Sequence, residues 1–155
     1  MTSPILVRPT EAADVSALLE LQERVYPTIA PWRRDQLVRQ LQVFPQGQLV
    51  AVRDGRLLGC ASSLVIVWDE WADEHTWKQI TASGTFQTHN PKGFTLYGAE
   101  VFVDPQARGQ RVGHLLYEGR RQLCRQLNLR RIIACGRLPG YHTLANEMSV
   151  ELYAK

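Results

Sequence analysis

Residues 104–116 read "DPQARGQRVGHLL". The run before it, "FTLYGAEVFV" at 94–103, is strand-like, and Pro105 stops it because proline has no N–H to offer a ladder. From Gly109 onward Val112, Leu115, Leu116, Gly119, Leu123 and Leu127 recur at helical spacing, with the arginines placed opposite. A strand that hands over directly to a helix leaves the helix's first amides unpaired, beside the positive end of its dipole. Arg108, Gly109, Gln110, Arg111, Val112 and Gly113 occupy that junction. Two readings are open there: a phosphate cradle made of backbone amides, or an ordinary turn with solvated arginines. The loop has neither the Walker lysine nor the Rossmann glycine spacing.

Downstream, "RRIIACG" at 130–136 is strand-like, so strand, helix and strand follow one another. A crossover of this kind predicts that the two strands are parallel. Gly119 lowers helix propensity by about 1 kcal/mol relative to alanine. It is expected where the helix backbone lies close on the sheet. Upstream, Asp54-Gly55 separates the apolar runs of "QLVAVRDGRLLGCASSLVIVW" and predicts a two-residue hairpin turn. Two helices precede it: one capped by Thr10 and carrying Val15, Leu18, Leu19, Gln22 and Val25, and one opening at Pro31 and ending before Pro45. "ILVR" at 5–8 supplies a first strand. The predicted order is β-α-α-β-β-β-α-β, an α/β fold within a single domain over 1–155.

Residues 69–93 interrupt this pattern as an inserted, acidic, Trp-rich segment, with Trp68, Trp71 and Trp77 at or near its start. A stretch of this length between elements is functional or disordered as a rule, and the aromatic content argues against disorder. A small satellite cluster on the core is the competing reading. Asp69, Glu70, Asp73 and Glu74 crowd into six residues. Between 105 and 137 eight arginines face one acid, Glu118, a local +7 against +3 for the whole chain, so the remainder carries −4. Such a division suits an anionic ligand at one place and a cationic one at another.

Other classes find little support. The longest apolar run, "LVIVW" at 64–68, is too short to span a bilayer, and "MTSPILVRPT" has no signal-peptide pattern. Cys60, Cys124 and Cys135 lack metal or redox spacing, and His75, His89, His114 and His142 are scattered. No metal site is predicted, and reduced thiols point to the cytoplasm.

The run of elements from "ILVRPTEAADVSALLELQ" through "LVAVRDGRLLGCA" to "VFVDPQARGQRVGHLLYEG" resembles the GNAT superfamily of acyl-CoA-dependent N-acyltransferases. Arg108 to Gly113 fill the family's signature, a basic residue or glutamine, two further residues, then Gly-x-Gly or Gly-x-Ala, except that Arg111 stands at the first glycine of the pair. If Arg111 lies inside the helix at ordinary angles, its side chain is tolerated there. More closely, "YGAEVFVDPQARGQRVGHLLYEGRRQLCRQLNLRRIIACGRLPGYH" and "TWKQITASGTFQTHNPKG" are similar to the acetyltransferase domain that precedes a carbon–nitrogen hydrolase domain in some bacterial proteins. The chain has no nitrilase Glu-Lys-Cys chemistry, so that activity is not carried over.

The resemblance implies a GNAT-like mixed central sheet flanked by helices. It implies acetyl-CoA as cosubstrate, with its pyrophosphate on 108–113 and its pantetheine along backbone groups of Val101 and Val103. It also implies an amine acceptor. Glu100, on the same strand, is the candidate base, although alternation puts it on the opposite face from Val101 and Val103. The family's tyrosine acid has no matching position; Tyr141 and Tyr153 are the tyrosines at hand. After "RRIIACG" only 19 residues remain, with a possible helix capped by Ser149. The family's last strands are therefore expected to be missing, and the strand at 130–136 to be covered by further sequence or by a second copy in a homodimer. Two other functions stay open: an acyl-CoA-binding module without a working base, and nucleic-acid binding through the basic helix face.

Overall fold

Asp54 and Gly55 both take positive φ, 49° and 76°, and turn strand β2 (Gln48–Arg53) back onto β3 (Arg56–Ile66). This hairpin is the centre of the fold. The computed structural model describes residues 2–135 and 140–154. Strand β1 (Leu6–Pro9) pairs antiparallel with β2, and β4 (Thr95–Val103) pairs antiparallel with β3. Strand β5 (Arg131–Ala134) lies parallel to β4, reached through helix α4 (Val112–Gln126). The sheet order is β1-β2-β3-β4-β5, a mixed five-stranded sheet, as the expected element order requires.

Helices cover both faces. On one face α1 (Val15–Val25) and α2 (Arg34–Val43) bury Val15, Leu18, Leu21 and Leu37 against Val50, Cys60 and Phe102. On the other, Val112 and Leu116 of α4 press on Leu49, Ala51 and Ala61. A fully buried leucine contributes about 2 kcal/mol here, and Leu21 and Leu116 are both fully buried. Gly119 does lie close on the sheet: a Cβ there would stand 3.0 Å from Val7 and 3.1 Å from Leu49.

Two helix starts differ from expectation. Thr10 is no cap; its N–H donates to Gln48 O at 2.8 Å and extends the β1–β2 pairing. Asp14 instead accepts from the Glu11 N–H at 2.8 Å and pairs with Arg8 at 2.7 Å. The second helix begins at Arg34, not Pro31, because the Trp32 N–H is held by the buried Gln22 side chain at 2.9 Å. That bond keeps 31–33 out of the helix.

The inserted segment is packed. It contains one short helix, α3 (Trp77–Ile80), capped by Thr76. Ile80 and Phe86 are fully buried with Leu64, Ile66 and Tyr97. Ala82, Ser83 and Phe86 take positive φ, at about 1 kcal/mol or more each. The turn is held from α2 by Gln40 donating to Gly84 O (2.7 Å) and Gln36 donating to Ser83 O (2.8 Å). Among the described residues no strand follows β5; α5 (Tyr141–Leu144) and α6 (Val150–Tyr153) do, and Ser149 caps α6 as anticipated. Gly136, the last residue of the strand expected at 130–136, lies outside the described residues. No helix is long and apolar enough to cross a membrane among the described residues.

Candidate functional site

Among the described residues, strands β4 and β5 pair from Thr95–Arg131 to Gly98–Ala134. Beyond Gly98, β4 runs on to Val103 with no partner on that side among the described residues. The parting coincides with a bulge. Opposite Ser62 stands Glu100, but opposite Ser63 stands Gly98, so Ala99 is the extra residue. The Asp104 N–H turns back to Leu58 O of β3 at 2.8 Å. By alternation the backbone groups of Val101 and Val103 point the other way, into the opened side.

That open edge leads directly to the loop. Asp104, fully buried, accepts from the Gln106 N–H (2.9 Å), Arg56 (2.9 Å) and Arg24 (3.3 Å), clamping the exit of β4 to β3 and α1. Burial pushes its pKa up, but the Gln106 amide and the two arginines outweigh this and hold it below the usual carboxylate value. Gly109 has φ 80°. Arg111, at the N-cap of α4, has φ 65° and ψ 18°. It is therefore left-handed, not in the ordinary helical region that was expected. Glycine at this position would serve backbone conformation as well as ligand approach, and arginine there bears a strain of about 1–2 kcal/mol.

The first return bond of α4 runs from Leu115 N–H to Arg111 O at 3.0 Å. The amides of Val112, Gly113 and His114 thus have no acceptor within the helix. A Cβ on Gly113 would meet only Val103, at 3.9 Å, so the space before these amides is open. Arg108 and Arg111 are exposed at the rim, while the Gln110 side chain accepts from Arg53 at 2.7 Å. A 15-residue helix aimed at open space beside an unpaired strand edge fits a pyrophosphate followed by an extended, amide-bearing arm.

On the opposite face of β4 lies a cleft of about 450 Å³. Tyr26, Trp32, Trp77, Ala99, Glu100 and Cys135 contribute to its walls. Tyr26 Oη donates to Glu100 Oε1 at 3.0 Å, and the Val101 N–H reaches the same oxygen at 3.1 Å. Val101 and Val103 pack instead with the cluster under α4, so Glu100 does face away from them. Trp77 donates its indole N–H to Ala99 O at 2.9 Å. Tyr97, fully buried, contacts Cys135 Sγ at 2.9 Å. Burial, and then the Cys135 contact, push the Tyr97 phenol well above its ordinary pKa.

Arg120 connects the two sides, and the reading of α4 had put it on the solvent face. It is 1% exposed. Its guanidinium enters the bulge and donates to Ser63 Oγ (3.0 Å), Ser62 O (2.9 Å) and Glu100 O (2.5 Å). A Cβ on Gly98 would lie 2.9 Å from Arg120 Nη1, so Gly98 is the residue that lets the arginine in. Burial lowers the Arg120 pKa. Of the remaining helix arginines, Arg121 and Arg125 pair with Glu118 at 2.9 and 3.4 Å. Glu118 thereby offsets part of the positive charge on that helix face.

The profile of the Acetyltransferase (GNAT) family matches residues 15–155. The chain belongs to this family. It is 42% identical over 151 residues to the probable hydrolase YhcX of Bacillus subtilis (strain 168), matching 97% of the chain but spanning only 29% of that protein. It is 32% identical to the uncharacterized N-acetyltransferase YkwB of the same organism, over 97% of the chain and 69% of the relative. Among solved structures, the loading GNATL domain of CurA from Lyngbya majuscula superposes with a TM-score of 0.79 at 20% identity, covering 95% of this chain and 71% of that one. A GNAT family acetyltransferase from Brucella melitensis in complex with acetyl-CoA gives 0.57 at 17% identity, over 91% and 81%. These last two likenesses establish the GNAT fold.

The structure brings Glu100, Val101 and Val103 to one open stretch of β4, next to the 108–113 loop. Tyr141 is elsewhere, donating to Met148 O at 3.2 Å and packed on Tyr153 within the C-terminal helices. Among the described residues no group of three or more His, Cys, Asp or Glu could hold a metal. Tyr26, Trp32 and Arg120 escaped the sequence reading. Only Arg120 had a signal: it sits four residues after Leu116 and three before Leu123, on the apolar stripe itself.

Proposed function

We propose that this GNAT family member transfers an acetyl group from acetyl-CoA to a primary amine by direct attack of the amine on the thioester. The observation that carries the reading is the parting of β4 from β5 at Gly98, which exposes β4 backbone in line with the start of α4. The amides of Val112, Gly113 and His114 hold the pyrophosphate, and Arg108 and Arg111 add charge at its rim. Backbone groups of Val101 and Val103 align the pantetheine arm as an added strand would be aligned.

Glu100 takes the amine proton. An ammonium of pKa about 10 must lose it before the nitrogen can attack. The N–C bond then forms, the C–S bond breaks, and the second proton shed by the attacking nitrogen passes to the CoA sulfur, so CoA leaves as the thiol. Edge amides beside the bulge stabilise the oxyanion between these events. The Val101 N–H, bonded to Glu100 in this structure, becomes available as Glu100 turns to the amine. YkwB is named as an N-acetyltransferase, in keeping with this reading.

The test is a titration with acetyl-CoA, followed by CoA release measured over a panel of primary amines. Saturable binding and equimolar CoA and acetylated amine are expected. Binding without release for every amine would overturn the transferase reading in favour of an acyl-CoA-binding module. Absence of binding would overturn both.

A further inference from the structure

The cleft on the Glu100 face has a composition that selects among amines. Resting on the transferase reading, we infer that the acceptor is a primary amine with a single ammonium and an apolar, aromatic-sized body, and that Trp32 and Trp77 are its specificity-determining residues.

An acidic run beside the cleft would suit a polyamine. Asp69, Glu70, Asp73 and Glu74 are all exposed, and none of them lines the cleft. Glu100 is the one charged side chain among the described residues lining it. A single carboxylate can neutralise no more than one ammonium. A second ammonium, several bonds away, would be driven among Trp32, Trp77 and Ile29 with no acidic partner among the described residues lining the cleft, and an unpaired charge in such surroundings is strongly disfavoured.

The apolar walls are firm. The rings of Trp32 and Trp77 lie 6.2 Å apart at 45°, two faces of a wedge. Trp32 is braced from behind by Phe86, edge to face at 6.1 Å, and from its backbone by Gln22. Trp77 is fixed by its indole bond to Ala99 O and by the Thr76 cap of α3. The left-handed residues Ala82, Ser83, Gly84 and Phe86 and the buried Gln40–Gly84 bond hold that helix in place. This rigid wedge points at the bulge that carries Glu100. Aromatic faces attract an alkylammonium and also bury the carbon body next to it. The volume, about 450 Å³, is in the range of small-molecule sites, about 300–1,000 Å³.

The experiment measures acetyl transfer by the full chain to phenethylamine, ethylamine, putrescine and spermidine. Phenethylamine should exceed putrescine and spermidine in kcat/KM by about 30-fold or more, the ratio expected when a second charge goes unpaired. Trp77→Ala should raise KM for phenethylamine about tenfold and change kcat by less than about threefold, as loss of ground-state binding does. Trp77→Phe should restore most of the loss, and neither variant should shift KM for acetyl-CoA. Should Trp77→Ala fail to fold, Trp32→Phe and Trp32→Ala provide the same comparison. A preference for putrescine or spermidine, or a phenethylamine KM indifferent to both tryptophans, overturns the inference while leaving the transferase reading intact. Normal acetyl-CoA binding with no amine acetylated overturns the transferase reading and this inference with it.

Discussion

The two sides of β4 are built from different materials. On the α4 side the candidate site is backbone: the amides at the start of the helix, the open edge of Val101–Val103, and space in front of Gly113. On the α1 side it is side chains: Tyr26, Trp32 and Trp77 around one carboxylate. Backbone suits a ligand that is always the same, because amides at a helix start recognise any phosphate. Side chains suit a ligand that differs between relatives, because each ring can be exchanged without disturbing the sheet. Arg120 passes between the two, fixing the bulge on which both depend.

That comparison can be broken in several places. The largest effect is expected from Glu100→Gln, which should lower kcat by about 100-fold with acetyl-CoA affinity nearly unchanged. Undiminished turnover in steady-state assays would remove Glu100 as the base. Gly113→Leu should come next, weakening acetyl-CoA binding by about 30-fold by calorimetry, since the leucine fills the space a phosphate needs. Its fold should be unharmed, as a Cβ there meets only Val103 at 3.9 Å.

A smaller effect is expected on the frame that joins the sides. Asp104→Asn should reduce stability at neutral pH by about 2 kcal/mol in chemical denaturation, through loss of charge-assisted bonds to Arg24 and Arg56. Because the folded pKa of Asp104 is lowered, its contribution is fully present above the unfolded value. It fades as pH falls through the folded one. The gap between wild type and variant should therefore close below about pH 4. A gap independent of pH would mean that the carboxylate's charge plays no part.

Smallest is Arg111→Gly. Relief of the left-handed strain should raise stability by up to about 1 kcal/mol. Loss of one charge should at the same time weaken acetyl-CoA binding by a similar amount. Arg111→Ala keeps the strain and loses the charge, so it should bind equally weakly without being stabilised.

The same contrast explains what was legible in the sequence. The hairpin at Asp54-Gly55, the crossover through α4 and the loop at 108–113 are local, and turn chemistry and periodicity reveal local features. The aromatic cleft draws on Tyr26, Trp32, Trp77, Glu100 and Cys135, which only tertiary packing brings together. No period or spacing links them. Arg111 misled because the helix was assumed to have begun, whereas the chain is still turning into it at φ 65°. Arg120 lies on the apolar stripe, but arginine is so seldom buried that its residue type points to solvent instead.

Backbone amide exchange with and without acetyl-CoA tests the central claim most directly. The account predicts that the ligand slows exchange at Val101, Val103 and residues 112–114 by about tenfold or more. The amides lining the tryptophan wedge should change little until an amine is added. Protection confined to the wedge, or none along β4 and the start of α4, would contradict the claim that this open strand edge and helix start form the acetyl-CoA site.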